Sequence, residues 1–364
     1  MVVSDLHLGA RGGTDVLRGE QALAALVDRL AGCERLVLLG DVLELRHGPL
    51  REALGAADRV LRAIGAALGG GREVVIVPGN HDHRLLAGWL ERRAVAGPPD
   101  PLGLESAVDW RAGELLGAVA DRLAPASVRA AYPGVWLRPD VYATHGHYGD
   151  RHTTVPVFER RGAGAIARLV REPPEGPRRA EDYEATLAPI YAWVDAVAQA
   201  DGHGRARVPA GVSARVWQAI AGGAGGAGGR DAGWSGWRRR ALIAGFPVLI
   251  ALANRARLGP LTADLSGAEL RRGGLRGFGE VVARLSIAAP YVIFGHTHRA
   301  GPLPGDDGAE WRAPGAAALL NTGCWVREPA FLGPDPSTSP YRAGFAATVG
   351  DDRPPALTCL LDPG

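Results

Sequence analysis

Five short polar motifs, each directly after an apolar stretch, constrain this chain more than any other feature. The stretches Met1–Ser4, Arg35–Leu39 and Glu73–Val77 are typical of buried strands, and they alternate with segments of helical apolar spacing at 14–30 and 50–68. Strands and helices that alternate in this way predict right-handed βαβ units and a buried sheet. Ligands of such sheets bind beyond the carboxyl ends of the strands, which is where the polar motifs fall.

The rest of the chain continues the pattern less regularly. We expect further strands at 141–144 and 291–294, each running into a polar motif, and a helix near 111–123. The stretches Leu319-Leu320, 343–349 and 356–361 are typical of closing strands, which we expect to be antiparallel.

The five motifs contain residue types that bind divalent metals. They read S-D-L-H-L-G at 4–9, G-D at 40–41, G-N-H-D at 79–82, H-G-H at 145–147 and G-H-T-H at 295–298. Carboxylate oxygen and imidazole nitrogen are ligands that Mn, Fe and Zn accept. Residues two apart in an extended segment point the same way, so Asp5 and His7 can reach one side together, as can His296 and His298.

Each motif alone is weak, because Gly-Asp suits an ordinary turn and a lone His-x-His is more often a packing or surface feature. Together they are specific, since seven of the ten histidines lie in or beside these loops. Within the fourth motif, the position at the strand end favours His145 over His147 as the ligand. His147 is instead expected to contact the substrate or to support one of the metal ligands.

Composition excludes several classes of protein. Basic and acidic residues nearly balance, at 41 against 39, and no run of like charge or basic stripe favours a nucleic-acid partner. Three cysteines without a CxxC pair argue against a disulfide framework and a thiolate zinc site. There is no pattern of a signal peptide, and the apolar stretch 241–253 is too short to span a bilayer. We therefore expect a cytoplasmic protein.

The segment 151–289 separates the fourth motif from the fifth and is expected to be a mainly helical inserted cap. The metal-binding core would then comprise 1–150 and 290–364. A Gly/Ala run at 221–229 has the composition of a flexible linker. Four tryptophans in the segment suit either a cap that packs on itself or one that contacts an apolar ligand or a membrane surface.

The ordered set D-x-H, G-D, G-N-H-D, H-G-H and G-H-x-H resembles the calcineurin-like metallophosphoesterase superfamily. The likeness covers 1–150 and 290–361, and not the insert. It implies an α/β fold of the αββα sandwich type, with two mixed sheets packed face to face and helices outside.

The resemblance also implies a role for each motif residue. One metal would be held by Asp5, His7 and His298, and the second by Asn80, His145 and His296. Asp41 would bridge the two metals. His81 would be the acid that protonates the leaving oxygen, oriented by Asp82. A hydroxide between the two cations would attack phosphorus. Manganese is the metal we expect first, with iron, zinc or others as alternatives.

The substrate class stays open at this point. The sequences of the motifs are similar to those of UDP-2,3-diacylglucosamine pyrophosphate hydrolases. This similarity implies that the substrate is a small-molecule or lipid-linked phosphoester or pyrophosphate. Peripheral membrane contact through the cap would accompany such a substrate, and no obligate protein partner is evident. A generic phosphatase, a cyclic nucleotide phosphodiesterase, a nuclease and a non-catalytic scaffold are the alternatives. Cys324, in Asn321-Thr322-Gly323-Cys324, is expected to serve structure and not nucleophilic catalysis.

Overall fold

The computed structural model describes residues 1–95, 100–153, 175–200, 267–333 and 335–361. Their ten strands are β1 (Val2–Val3), β2 (Arg35–Leu39), β3 (Glu73–Val77), β4 (Glu105–Ala107), β5 (Ser127–Arg138), β6 (Val141–Thr144), β7 (Tyr291–Phe294), β8 (Ala318–Asn321), β9 (Phe345–Thr348) and β10 (Ala356–Cys359). Their α-helices are α1 (Glu20–Leu30), α2 (Leu50–Leu68), α3 (Ala87–Val95), α4 (Leu115–Arg122), α5 (Ala180–Ala200), α6 (Gly267–Arg284) and α7 (Pro329–Leu332).

The strands form one large mixed sheet, in the order β10-β9-β1-β2-β3-β5-β6-β7-β8, with β4 paired to β5. Strand β5 joins the two halves of this sheet. Residues 127–130 pair parallel with β3, and residues 134–138 pair antiparallel with β6. The fold is therefore mixed α/β with a single ten-stranded sheet that is close to a barrel in shape.

Alternating side chains of the strands enter different apolar clusters, because successive residues of a strand point to opposite faces. Leu36 and Leu38 pack with α1, α2 and α4, whereas Val37 and Leu39 pack with residues of β3, β5, β6 and β7. Helices α5 and α6 cover the other half of the sheet through a cluster that includes Tyr183 on α5. The carboxyl ends of β1, β2, β3, β6 and β7 carry the five polar loops.

Most of the predicted elements are confirmed. Strands β2, β3, β6 and β7 and helix α2 have the expected bounds, because short, nearly continuous apolar runs mark the buried strands and helical apolar spacing marks α2. The expectation that 319–320 belongs to an antiparallel strand is wrong, because β8 pairs parallel with β7. Strands β9 and β10 are antiparallel as expected. Strand β5 was not predicted.

Of the segment 151–289, the structure describes α5, α6 and short flanking stretches, and both helices agree with the helical expectation. The Gly/Ala run at 221–229 and the tryptophans at 217, 234 and 237 lie outside the described residues. The division into core and cap stays a prediction. In the described part of the chain, no helix combines the length and apolar character that crossing a membrane requires.

Candidate metal centre

The polar loops adopt unusual backbone conformations where the expected ligands stand. Among described residues, seven non-glycine positions have positive φ, and five of them are expected ligands: Asp5, His7, Asp41, His296 and His298. Such conformations cost about 1–3 kcal/mol each and cluster at functional sites. The expectation that each pair lies in an extended segment is thus wrong, because both residues of each pair have positive φ. The loop backbone itself turns both side chains of each pair inward.

Two glycines allow the loops to approach one another closely. A Cβ atom on Gly40, whose φ is +82°, would lie 2.2 Å from His145 Nδ1. A Cβ atom on Gly79 would lie 2.3 Å from Asp41 Oδ1 and 2.7 Å from His145 Cδ2. Any side chain at either position would therefore displace His145 or Asp41.

The first ligand group consists of Asp5, His7 and His298, whose candidate ligand atoms lie within 4.8 Å of one another. Asp5 Oδ1 lies 3.3 Å from His298 Nε2 and 3.9 Å from His7 Nε2. The two Nε2 atoms are 3.1 Å apart. These are the three residues expected to hold one metal.

The second group consists of Asp41, His145 and His296, with the Asn80 amide beside it. Asp41 Oδ2 lies 3.2 Å from His145 Nε2. The inward atom of the Asn80 amide lies 3.2 Å from His145 Nε2, 3.2 Å from His296 Nδ1 and 3.3 Å from Asp41 Oδ2. The structure thus brings together the four residues expected at and beside the second metal.

Asp41 lies between the two groups. Its Oδ2 atom is 3.2 Å from His145 Nε2 and 3.8 Å from His7 Nε2, so it is within reach of both. Its Oδ1 atom accepts a hydrogen bond of 2.8 Å from the backbone N–H of His81. The position of Asp41 matches that of a carboxylate shared by two cations.

Three backbone or carboxylate partners orient the imidazoles. His145 Nδ1–H donates to the Leu39 carbonyl at 2.9 Å, and His296 Nε2–H donates to Asp150 at 2.8 Å. His7 Nδ1–H donates to Glu44 at 3.0 Å. The second nitrogen of each ring is thereby turned toward the ligand groups, an arrangement typical of histidines that bind metals.

The donor set fits divalent cations. Asp5 Oδ1 is buried without a hydrogen-bond partner, although a buried carboxylate oxygen normally has one. With the Asn80 oxygen inward, only acceptor atoms face the centre of the second group, and a cation satisfies such a set. With the amide turned over, its NH₂ group would donate to these acceptors and its oxygen would accept from Arg46.

Without a cation, protons compensate the buried carboxylates. Burial opposes the charged form of His7 and His145, but the hydrogen bond to Glu44 and the charges of Asp41, Glu44 and Asp5 raise the pKa of His7 to about 9, and Asp41 and Asp5 raise that of His145 to about 10. Against the opposing effect of burial, His145 and His298 lower the pKa of Asp5 to about 2. The pKa of Asp41 is likewise held well below its usual range by neighbouring imidazoles.

His81 stands beside both groups and is 24% exposed. Its Nδ1–H donates to Glu44 Oε2 at 2.8 Å, and that same oxygen accepts the hydrogen bond from His7. Burial lowers the pKa of His81 to about 4, and Arg46 adds to this, although Glu44 opposes it. His7, Glu44 and His81 form a third close group of residue types that could hold a metal ion. The two hydrogen bonds to Glu44 explain why these three side chains lie together.

Asp82 does not contact His81 as expected. Its buried carboxylate accepts backbone N–H groups from Gly79 at 2.7 Å, Val42 at 2.8 Å and Asp41 at 3.3 Å. It therefore fixes the second loop against the third. The expectation that Asp82 orients His81 is wrong, because Glu44 is the carboxylate bonded to His81.

Sequence reasoning did not assign Glu44 or Asp150 to the site. Glu44 follows the Gly-Asp motif by three residues, and Asp150 follows His145 by five. Neither residue belongs to a helix or strand pattern that would place its side chain beside the expected ligands. His147 is buried against Tyr132, whose hydroxyl lies 3.1 Å from His147 Nε2, and it is outside the ligand groups. The Cys324 thiol is buried, and burial raises its pKa, which suits the structural role expected for it.

A cavity of about 830 Å³ opens beside the ligand groups, in the size range of pockets for small molecules. Asn80 and His81 line its inner end together with Arg46, which donates to the Asn80 carbonyl at 2.9 Å. Helices α3 and α5 form its walls, so a helix from the expected cap borders the candidate site.

Comparison of the sequence with protein-family models and with curated proteins found no match. The groups of Asp, His and Glu side chains that could hold a metal ion therefore rest on the geometry of this chain alone.

Proposed function

We propose that this protein is a two-metal phosphoester hydrolase of the calcineurin-like metallophosphoesterase type. The observation that carries the proposal is the position of Asp41, whose Oδ2 lies within 4 Å of a ligand nitrogen of each group. Seven residues from five distant motifs meet there, in the grouping that the resemblance implies. A structural cluster of histidines would not require a shared buried carboxylate.

The residues would divide between two cations. Asp5, His7 and His298 would hold one, and Asn80, His145 and His296 the other, with Asp41 shared. Manganese is the cation we propose first. When bound, the pair supplies positive charge against the phosphoryl oxygens and lowers the pKa of water.

The protein's own contribution to the chemistry centres on His81. With Nδ1–H donated to Glu44, the remaining nitrogen, Nε2, is the one that can deliver a proton to a leaving oxygen. Burial keeps His81 neutral in the absence of substrate. A phosphoryl anion beside the ring favours the charged form and so raises its pKa. Glu44 supports the same form.

The proposal extends to the arrangement of the sheet, which we propose is a two-layered sandwich. Side chains from β1, β2 and β3 share one apolar cluster with side chains from β6 and β7, and helices cover the outer sides of both sets of strands. This layering supports an αββα sandwich in which the continuous sheet folds onto itself at β5. The substrate would be a phosphoester or pyrophosphate of a small or amphipathic molecule.

The test uses chelator-treated full-length protein with and without added manganese. We expect hydrolysis of bis-p-nitrophenyl phosphate or p-nitrophenyl phosphate to return with the metal, and Asp41→Asn to lose both turnover and bound metal. Asp28→Asn, on the exposed side of α1, is the matched control. If the protein binds two metals but hydrolyses neither ester, it would be a metal-binding protein and not a hydrolase of this type. Fewer than two bound metals would overturn the proposed centre.

A further inference from the structure

The two oxygens of the Asp5 carboxylate have different surroundings. Oδ2 lies 2.5 Å from Ser4 Oγ and accepts the backbone N–H of His296 at 3.0 Å. Oδ1 is buried, has no hydrogen-bond partner among the described residues, and lies 3.3 Å from His298 Nε2. Donors of the protein therefore fix one oxygen, and the other is left for a cation.

A chain of two hydroxyl groups leads to Asp5 Oδ2. Ser4 Oγ lies 2.6 Å from Thr322 Oγ1, which lies 3.3 Å from the Phe294 carbonyl. Each hydroxyl has a single hydrogen. If Ser4 donated to Thr322, or to the Gly323 carbonyl 3.2 Å away, its oxygen would face the carboxylate oxygen at 2.5 Å with no hydrogen between them. Thr322 therefore donates to Ser4, and Ser4 donates to Asp5.

The hydroxyl chain is buried and closely packed. Ser4, Asp5 and Thr322 are at most 1% exposed, so solvent does not reach the carboxylate to replace a missing donor. A Cβ atom on Gly295 would lie 2.3 Å from Ser4 Oγ and 2.5 Å from Asp5 Oδ2. The fifth motif thus packs directly on the contact between Ser4 and Asp5. Removal of either hydroxyl would leave a buried acceptor without its donor, which is costly.

We infer that Ser4 and Thr322 are positioning residues, whose hydroxyl chain fixes Asp5 Oδ2 so that Asp5 offers Oδ1 alone to a cation. This rests on the proposed function, and neither residue is one of the expected ligands. Because Oδ2 also accepts the N–H of His296, the same carboxylate joins the first ligand group to the backbone of the second.

The experiment measures manganese binding to chelator-treated full-length protein by titration calorimetry, which does not depend on turnover. Thr322→Val removes one hydroxyl but keeps the shape of the side chain, and Ser4→Ala removes the other. We expect each variant to bind one of its two cations about 10- to 100-fold more weakly, as for other partners of metal ligands. Thr322→Ser keeps the hydroxyl and should retain the wild-type affinity. Thr348→Val, at an exposed position on β9, is the matched control.

The double variant tests whether the two hydroxyls act as one chain. Once Ser4→Ala has removed the link to Asp5, the Thr322 hydroxyl no longer reaches the carboxylate. Adding Thr322→Val should then weaken manganese binding no further, since residues of one hydrogen-bond network have non-additive effects. Two losses of affinity that multiply would overturn the chain.

Urea denaturation of the chelator-treated variants separates positioning from folding. A less stable Thr322→Val that binds both cations as wild type does would overturn the inference, and the Thr322 variants decide it even if Ser4→Ala does not fold. Weakened binding in Thr322→Val, together with a wild type that binds two cations but hydrolyses neither nitrophenyl ester, would support the positioning and refute the proposed hydrolase. Fewer than two bound cations in wild type would refute both.

Discussion

Glu44 Oε2 lies 2.8 Å from His81 Nδ1, and this contact joins the proposed acid to the groups that could hold metal ions. The same oxygen accepts a hydrogen bond from His7, and Glu44 is almost fully buried. One carboxylate thus orients an expected metal ligand and the proposed acid together. The orientation of the His7 and His81 imidazoles therefore depends on Glu44, which is not one of the expected ligands.

Replacement of Glu44 by glutamine should reduce activity strongly. An amide oxygen can accept both ring N–H groups, but the amide lacks the negative charge that favours the protonated rings. Its NH₂ group would also face the backbone N–H of Arg46, which Glu44 Oε1 accepts at 2.9 Å. We expect a fall in kcat/KM of about 10- to 100-fold, as for other partners of metal-binding histidines. Steady-state kinetics with saturating manganese measure it. Activity within twofold of wild type would remove Glu44 from the proposed machinery.

Replacement of Asp150 by asparagine should weaken metal binding. Asp150 accepts from His296 Nε2–H at 2.8 Å and so keeps Nδ1 toward the second group. We expect manganese affinity to fall by about 10- to 100-fold. Competition with a chelating dye measures the affinity, and Asp28→Asn on α1 should leave it unchanged. Unaltered binding in Asp150→Asn would show that His296 does not need this partner.

Replacement of Asp82 by asparagine should act on stability, because its carboxylate accepts backbone N–H groups from two loops. An amide would place its NH₂ group against these donors. We expect the free energy of unfolding to drop by about 1.5–3 kcal/mol, the contribution of hydrogen bonds to a charged group. Urea denaturation of chelator-treated protein measures it. A variant of unchanged stability but altered pH–rate profile would instead support a direct link to His81.

The metal-free protein should lose stability in alkaline solution. The pKa of His7 is raised from 6.5 to about 9, so its contribution is fully present below pH 6.5 and disappears as the pH rises toward 9. His145 extends the loss to about pH 10. Urea midpoints in chelator should therefore fall between pH 6.5 and 10.

His7→Asn is the control for this pH dependence. It should reduce the alkaline fall relative to wild type, because it removes one of the two titrating groups. Saturating manganese should also reduce the fall, since ligands bind metal in their neutral form and release their protons. An identical pH dependence in wild type and His7→Asn would contradict the raised pKa.

The residue types and their order along the chain determined the set of candidate metal ligands. Metal preference resides in side-chain chemistry, and the apolar strands and α2 have spacings that can be recognised locally. All seven expected ligands and His81 therefore converge as predicted. The parallel strands β1, β2 and β3 bring three of the motifs to one edge of the sheet because their carboxyl ends coincide.

Tertiary structure alone decided how those residues are held. Local spacing suggested an extended Asp5–His7 segment, whereas packing of the loops imposes left-handed backbone at both residues. Glu44 and Asp150 join the site through contacts with residues distant in the sequence, and Asp82 bonds to the Asp41 loop. The cavity wall exists because α5 packs across the core. Side-chain identity specifies which atoms can bind a cation, whereas hydrogen-bond partners and cavities arise only when distant segments pack.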